Sequence, residues 1–413
     1  MPGPAFAGSG ILLPLLSGAK VGLMRVTRLV AVTVLSLMVA GPAAAEPHAD
    51  LSARLAAVLD EFRQRYGFPG ATAAVALPDG TVLTAASGFA DIEAGRAMTD
   101  TTPMLAASIG KTFVAATVLA LESQGRLSQG DLLARYLGDR PWFDELPNAS
   151  AITIGQLLRH QSGLPDHPHL PEFQAAAATR IASGGKAFTP EEVLGFVIGR
   201  EALFEPGSAW AYSDTGYILL GLVIEEVTGR RYYDVVQGLF IGPLGLSGTV
   251  PSDRPDIPGL AVGYTIADNP FGLPVRTADA EGRLVWDPGV EWTGGGLAST
   301  AGDLARWGHA LLGGAALDTP YLERLLDGVA VAPDDPGTLY GAGIGIYTAT
   351  PRGPVYGHGG WIPGYVSSLR HYADHGVTVA FQVNSDAGVV DRSTDLVPAL
   401  EAALADLAIA ASP

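Results

Sequence analysis

A lysine one helical turn after a serine, at the head of a long apolar run, constrains this chain more than any other feature. The stretch Ala106-Ala107-Ser108-Ile109-Gly110-Lys111-Thr112 continues through Phe113 to Leu121 with alanine, valine and leucine at nearly every position, and the first charge after Lys111 is Glu122. Such a run predicts a buried helix. Residues three apart on a helix share a face, so the Ser108 hydroxyl and the Lys111 amine can meet. A hydroxyl becomes a useful nucleophile once a nearby base takes its proton, and a desolvated lysine can be that base. Lysine stands only at Lys20, Lys111 and Lys186, so 22 of the 25 basic residues are arginine, which stays protonated. The bland alternative is an ordinary surface cation, but a positive charge at a helix start faces the unfavourable end of the dipole. A second Ser-x-x-Lys, Ser183-Gly184-Gly185-Lys186, has two central glycines and reads as a flexible loop.

The chain has 413 residues, more than one core usually holds. Residues 1–45 contain no acid. Within them Arg25 and Arg28 precede an apolar run from Leu29 to Val39, and Gly41-Pro42-Ala43-Ala44-Ala45 offers a small-residue cleavage site. That is the layout of a secretory signal, started at Met1 or Met24, and the run is short for a membrane span. The expected mature protein begins near Glu46 and is periplasmic or secreted. There is no cysteine, which excludes disulfides and thiolate chemistry. Loss of Lys20, Arg25 and Arg28 takes the net charge from −17 to −20. A surface so acidic repels phosphate backbones and anionic headgroups, so nucleic acid and membrane surfaces are not expected partners.

Periodicity predicts a helix over 51–66, then strands over 70–77 and 81–86 split by Pro78-Asp79-Gly80, a hairpin signal. After the central helix come helical stretches at 131–137, 154–159, 190–198, 217–228 and 232–239. Thr300 or Ser299 is placed to cap a helix over 303–312, strands follow at 343–348, 366–372 and 377–383, and a helix over about 393–408 closes the chain. Strands at both ends around a helical middle predict an α+β protein. Its sheet domain is built from 46–120 and 290–413, with a mainly helical domain, 121–289, inserted.

Two further stretches carry chemistry. Tyr212-Ser213-Asp214 follows the turn Glu205-Pro206-Gly207-Ser208, and its phenol can relay a proton; an interface tyrosine is the bland reading. Gly357-His358-Gly359-Gly360-Trp361 falls where a strand is expected, and paired glycines there mark a close backbone approach, to a ligand or at a bulge. In this order and at this spacing, Ser-x-x-Lys, Tyr-x-(Asn/Asp) and (Lys/His)-(Thr/Gly)-Gly resemble the penicillin-recognising serine hydrolases. The similarity is to the branch holding class C β-lactamases, D-alanyl-D-alanine carboxypeptidases and related esterases. Leu157 to Pro165 and Gly295 to Leu304 also resemble signatures of that family, over about residues 50 to 405.

The resemblance implies a mostly antiparallel sheet with helices on both faces, a helical domain, and a site in the cleft between them. It implies an acyl-enzyme at Ser108, with Lys111 and Tyr212 sharing acid and base work, both titrating far below their free values. The oxyanion would rest on the backbone N–H groups of Ser108 and Trp361. Asp214, His358, Gly359 and Gly360 would contact a small-molecule or peptidoglycan-derived substrate, with no cofactor. Two departures leave the substrate open among ester, D-Ala-D-Ala peptide and β-lactam. Asp214 replaces an asparagine whose amide can donate, and sets a carboxylate near Lys111. Gly345 follows Tyr340-Gly341-Ala342-Gly343-Ile344 where the carboxypeptidase branch can carry an arginine, with Arg352 the nearby cation able to substitute. No Gly-x-Ser-x-Gly elbow is present, and Asp166-His167-Pro168-His169 reads as polar loop residues rather than a metal site. The rival from another class is a silent cell-wall or β-lactam binding protein using the same cleft.

Overall fold

The computed structural model describes residues 46–390 and 392–412, so the expected signal and its cleavage site lie outside the described residues. In chain order the elements that frame the site are α1 (Glu46–Tyr66), β1 (Gly70–Ala76), β2 (Val82–Asp91), β3 (Arg96–Ala97), β4 (Met104–Leu105) and α2 (Gly110–Ser123). There follow α3 (Ile154–Leu158), α4 (Pro171–Ala182), α5 (Asp214–Thr228), β5 (Val250–Pro251), β6 (Leu297–Ser299) and α6 (Ala301–Leu312). The last quarter supplies β7 (Val329–Ala332), β8 (Asp335–Tyr340), β9 (Gly345–Tyr347), β10 (Val355–Ile362), β11 (Tyr365–Tyr372), β12 (Val377–Val383) and α7 (Leu396–Ala411).

Alternation along β1 and β12 decides the layering. Ala71, Ala73 and Val75, with Val377, Val379, Phe381 and Val383, face one way and bury Leu55 and Leu59 of α1 and Leu400 and Leu404 of α7. The intervening Ala74, Ala76 and Ala380 face the other core, which holds α2, α5 and α6. Side chains two apart share a face, so a strand covered on both sides reads as continuously apolar. The sheet runs β3-β2-β1-β12-β11-β10-β9-β8-β7, and each neighbouring pair is antiparallel. A smaller sheet, β4-β6-β5, lies beside it. The mostly antiparallel sheet flanked by helices is therefore the α+β architecture the sequence implies.

Small residues let the layers meet closely. A Cβ on Gly308 of α6 would stand 2.6 Å from a Leu369 methyl and 2.9 Å from one of Thr378. Thr300 caps α6, its hydroxyl accepting from the Asp303 N–H at 3.1 Å. The helices between 121 and 289 share one continuous core with the sheet, Leu157, Leu219 and Val223 packing with Leu369 and Ala380. Among the described residues no helix is long and apolar enough to cross a membrane.

Several bounds differ from expectation. The 131–137 helix shrinks to Ala134–Leu137, since Asp131 instead accepts from Ser128, Arg135 and Tyr136. α5 starts three residues earlier than the apolar periodicity suggests, which places Asp214 in its first turn. Sequence reasoning missed α4, whose alanine-rich Gln174–Thr179 carries little periodic signal, and also β7 and β8.

Candidate active site

Ser108 lies in a single 3-10 turn, Ala107–Ile109, that feeds directly into α2. Ala107 is held at φ 49°, a left-handed conformation that costs an L-residue about 1–2 kcal/mol. Two glycine backbones press on this turn. A Cβ on Gly295 would fall 2.5 Å from the Ala107 carbonyl carbon, and one on Gly360 of β10 would fall 2.3 Å from the Ala106 oxygen. Gly295 and Gly360 are thus the condition for bringing chain to both sides of Ser108. Trp361 follows Gly360 directly, so its backbone adjoins the nucleophile turn, while its indole N–H is tied to Asp386 at 3.1 Å.

The Ser108 Oγ accepts two hydrogen bonds, from Lys111 Nζ at 3.0 Å and from the Tyr212 hydroxyl at 2.8 Å. Lys111 is fully buried; its Nζ also donates to the Gly294 carbonyl and makes ion-pair contact with Asp214 Oδ1. Asp214 reaches that place from the first turn of α5, where its own N–H donates to Asp166 Oδ1 at 2.7 Å. Burial, then the Asp214 carboxylate, pushes the Tyr212 phenol well above its ordinary value. The expectation that this phenol titrates far below its free value is therefore corrected: it keeps its proton at rest and donates to the serine.

His358 sits on β10, its Nδ1–H donating to the Gly359 carbonyl at 2.5 Å and its Nε2 accepting from Tyr340 at 2.8 Å. Burial holds it down to about 3, so it is neutral and brings no charge to the place where relatives carry lysine. Tyr212, His358, Gly359, Tyr340 and Gly345 line one cavity, and among the described residues no lysine or arginine lines it. Arg352 does not substitute for the missing arginine. Its guanidinium is gripped by Asp406 of α7 at 2.6 and 2.8 Å, and it lines a different cavity with Arg370 and Tyr372. Ser183 and Lys186 lie in an exposed loop after α4.

Three groups were missed by sequence reasoning. His160, inside the Leu157–Pro165 stretch, packs its ring on Tyr212; Asp166 anchors the Asp214 backbone; Glu291 faces Asp214 and Lys111 electrostatically. His160 had a signal, its place in a family-like stretch. Asp166 was read only as a polar loop residue beside His167, and Glu291 had no signal, because both gain meaning only from neighbours far away in sequence.

Residues 55–404 match the model of the Beta-lactamase family. The chain belongs to the beta-lactamase family. Members of this beta-lactamase family include serine hydrolases of several kinds. Esterase EstB of Burkholderia gladioli is 31% identical over 341 residues, covering 78% of this chain and 80% of that protein. Among solved structures, a D-stereospecific amidohydrolase from Streptomyces sp. superposes with a TM-score of 0.69 at 29% identity, over 82% of this chain and 94% of the other. The D-amino acid amidase of Ochrobactrum anthropi SV3, complexed with D-phenylalanine, gives a TM-score of 0.71 at 26% identity, over 88% and 99%.

Proposed function

We propose that this protein is a serine hydrolase that cleaves an ester or amide through an acyl-enzyme on Ser108. The observation that carries the reading is one serine oxygen held at 3.0 Å from a buried lysine and 2.8 Å from a half-buried tyrosine. In the proposed first step Ser108 Oγ bonds to the substrate carbonyl carbon and the bond to the leaving group breaks. For this Lys111 first yields a proton to the Asp214 carboxylate it contacts; the neutral amine then takes the serine proton while Tyr212 gives its own to the leaving group and recovers one from Lys111, and water cleaves the acyl-enzyme by the reverse route. The N–H groups of Ser108 and Trp361 would hold the oxyanion. A silent binding protein has no need of this trio in contact.

Tyr212, which delivers the proton, lines the cavity that contains Gly345 and His358, so the leaving group belongs on that side. With no cation there, and with Asp214 turned to Lys111, a leaving group bearing a free carboxylate finds nothing to hold it. The reading therefore favours esters, and amides without such a carboxylate, over D-Ala-D-Ala peptides and β-lactams. Export to the periplasm or medium remains part of the proposal, on the strength of Arg25, Arg28 and the run that follows them.

The test is a side-by-side panel of a short-chain nitrophenyl ester, nitrocefin and a D-Ala-D-Ala peptide. The ester should turn over fastest, and intact mass after a fluorophosphonate should show one adduct, mapped to Ser108. Efficient D-alanine release with little esterase turnover would reverse the preference, and labelling elsewhere would remove the nucleophile assignment.

A further inference from the structure

A second cavity adjoins the site, and Tyr212 is not among the residues that line it. Phe173 of α4, Phe188, Phe271, Leu273, Trp286 and Ile362 make it an aromatic slot. Three segments carry the reactive centre straight into its wall. Trp361 is followed by Ile362 and Pro363; Gly294, which accepts from Lys111, comes three residues after Glu291; Asp166, which holds Asp214, precedes His167 and Pro168. Since the leaving group belongs beside Tyr212, this slot is where the acyl group lies.

The slot also has polar groups that the fold does not use. The Glu291 carboxyl, half-buried in its wall, has no hydrogen-bond or ion-pair partner among the described residues. The Trp286 indole N–H is buried and likewise unpartnered. Other charges in the wall are accounted for. Arg180 pairs with Glu192 and lies over Phe188, and Asp287 accepts from the Ala187 and Gly289 N–H groups. Lys186 is exposed at the rim and screened by solvent. The charges that act on Glu291 are Asp214, Lys111 and Asp166, two carboxylates against one ammonium. Burial, then Asp214, pushes Glu291 up to about 8, which is what a carboxyl without a countercharge does. A half-buried carboxyl without a countercharge, beside an aromatic slot, is completed by a cation.

We infer that the acyl group is an amino acid with a free amino terminus and an apolar or aromatic side chain. The side chain fills the slot and the ammonium sits on Glu291. This rests on the serine hydrolase reading and adds the substrate class to it.

The experiment compares nitrophenyl esters of D- and L-phenylalanine with those of N-acetylphenylalanine and 3-phenylpropionate, on the wild type and on Glu291→Gln. Fluorophosphonate labelling of Ser108 is measured in parallel. One enantiomer of the free-amino ester should exceed the 3-phenylpropionyl ester in kcat/KM by roughly 10–100-fold, the value of a charge-assisted contact. Glu291→Gln should cut that ratio about tenfold or more, mainly through KM. Equal ratios in the two proteins, or preference for the uncharged ester, would overturn the inference while Ser108 labelling upheld the hydrolase reading. Loss of labelling in the wild type would instead strike the hydrolase reading itself.

Discussion

The imidazole of His160 lies against the ring of Tyr212, centroids 4.2 Å apart. Its Nδ1 accepts from the Ser213 N–H at 3.1 Å, so the proton is on Nε2, which has no partner among the described residues. Burial, with Lys111 and His358 nearby, holds His160 well below its ordinary value and keeps it neutral. Tyr340 and Tyr217 close the same cage at 4.6 and 5.2 Å. His160 thus clamps Tyr212 twice, by its ring and through the next residue's backbone.

His160→Phe keeps a ring but strands the buried Ser213 N–H, a loss of about 1–3 kcal/mol of stability. Turnover should fall with KM little changed, since Tyr212 loses its register on Ser108. Denaturant unfolding and steady-state kinetics check both parts. A double variant with Tyr212→Phe should be no slower than Tyr212→Phe alone; additive losses would show that His160 acts elsewhere.

Tyr212→Phe and Lys111→Arg should each lower the acylation rate by roughly 10²–10⁴-fold, the range for loss of general acid–base help. The rate of fluorophosphonate labelling and the nitrophenol burst measure it directly. Near-normal rates for Lys111→Arg would mean that lysine moves no proton here.

Stability should pass through a maximum with pH. Burial pushes His167 and His371 down to about 4 and His358 to about 3. Free histidine titrates near 6.5, so below about pH 6.5 the unfolded chain takes up protons the folded one excludes. Stability present above that pH is lost as the pH falls, by up to about 1.4 kcal/mol per unit for each histidine. Glu291 has the opposite sign: raised to about 8, it contributes stability below about pH 4.5 that is lost as the pH rises to about 8. Urea midpoints across pH should show Glu291→Gln gaining on the wild type between about pH 5 and 8. Parallel curves would count against a perturbed Glu291.

Much of this site is legible in the sequence because its parts are local. Ser108 and Lys111 are one turn apart, and the Gly359–Gly360 pair announces a close backbone approach or a bulge before any partner is known. The strands β1 and β12 are equally plain, since both faces are buried and the runs are mostly apolar, broken only by Thr72, Thr378 and Gln382. What stayed hidden was pairwise. Whether Arg352 reaches the cleft depends on Asp406, 54 residues later, which takes it away. Whether Tyr212 is acidic depends on burial and on Asp214, and the answer inverted the expectation. Glu291 has no motif at all.

The glycine contacts that fix Ser108 leave little room for retuning the chemistry and the choice of substrate separately. Ile362, the last residue of β10, and Pro363 after it follow straight from Trp361, and Glu291 is one helical turn from the carbonyl that holds Lys111. Any change that reshapes the aromatic slot by moving these segments also shifts Trp361, the proposed oxyanion donor, or the lysine. New selectivity in this scaffold should therefore come from α4 and the 271–286 loop, which touch the slot without carrying a reacting group. Directed evolution toward a bulkier acyl group would be expected to accumulate its substitutions there and to leave the glycines alone.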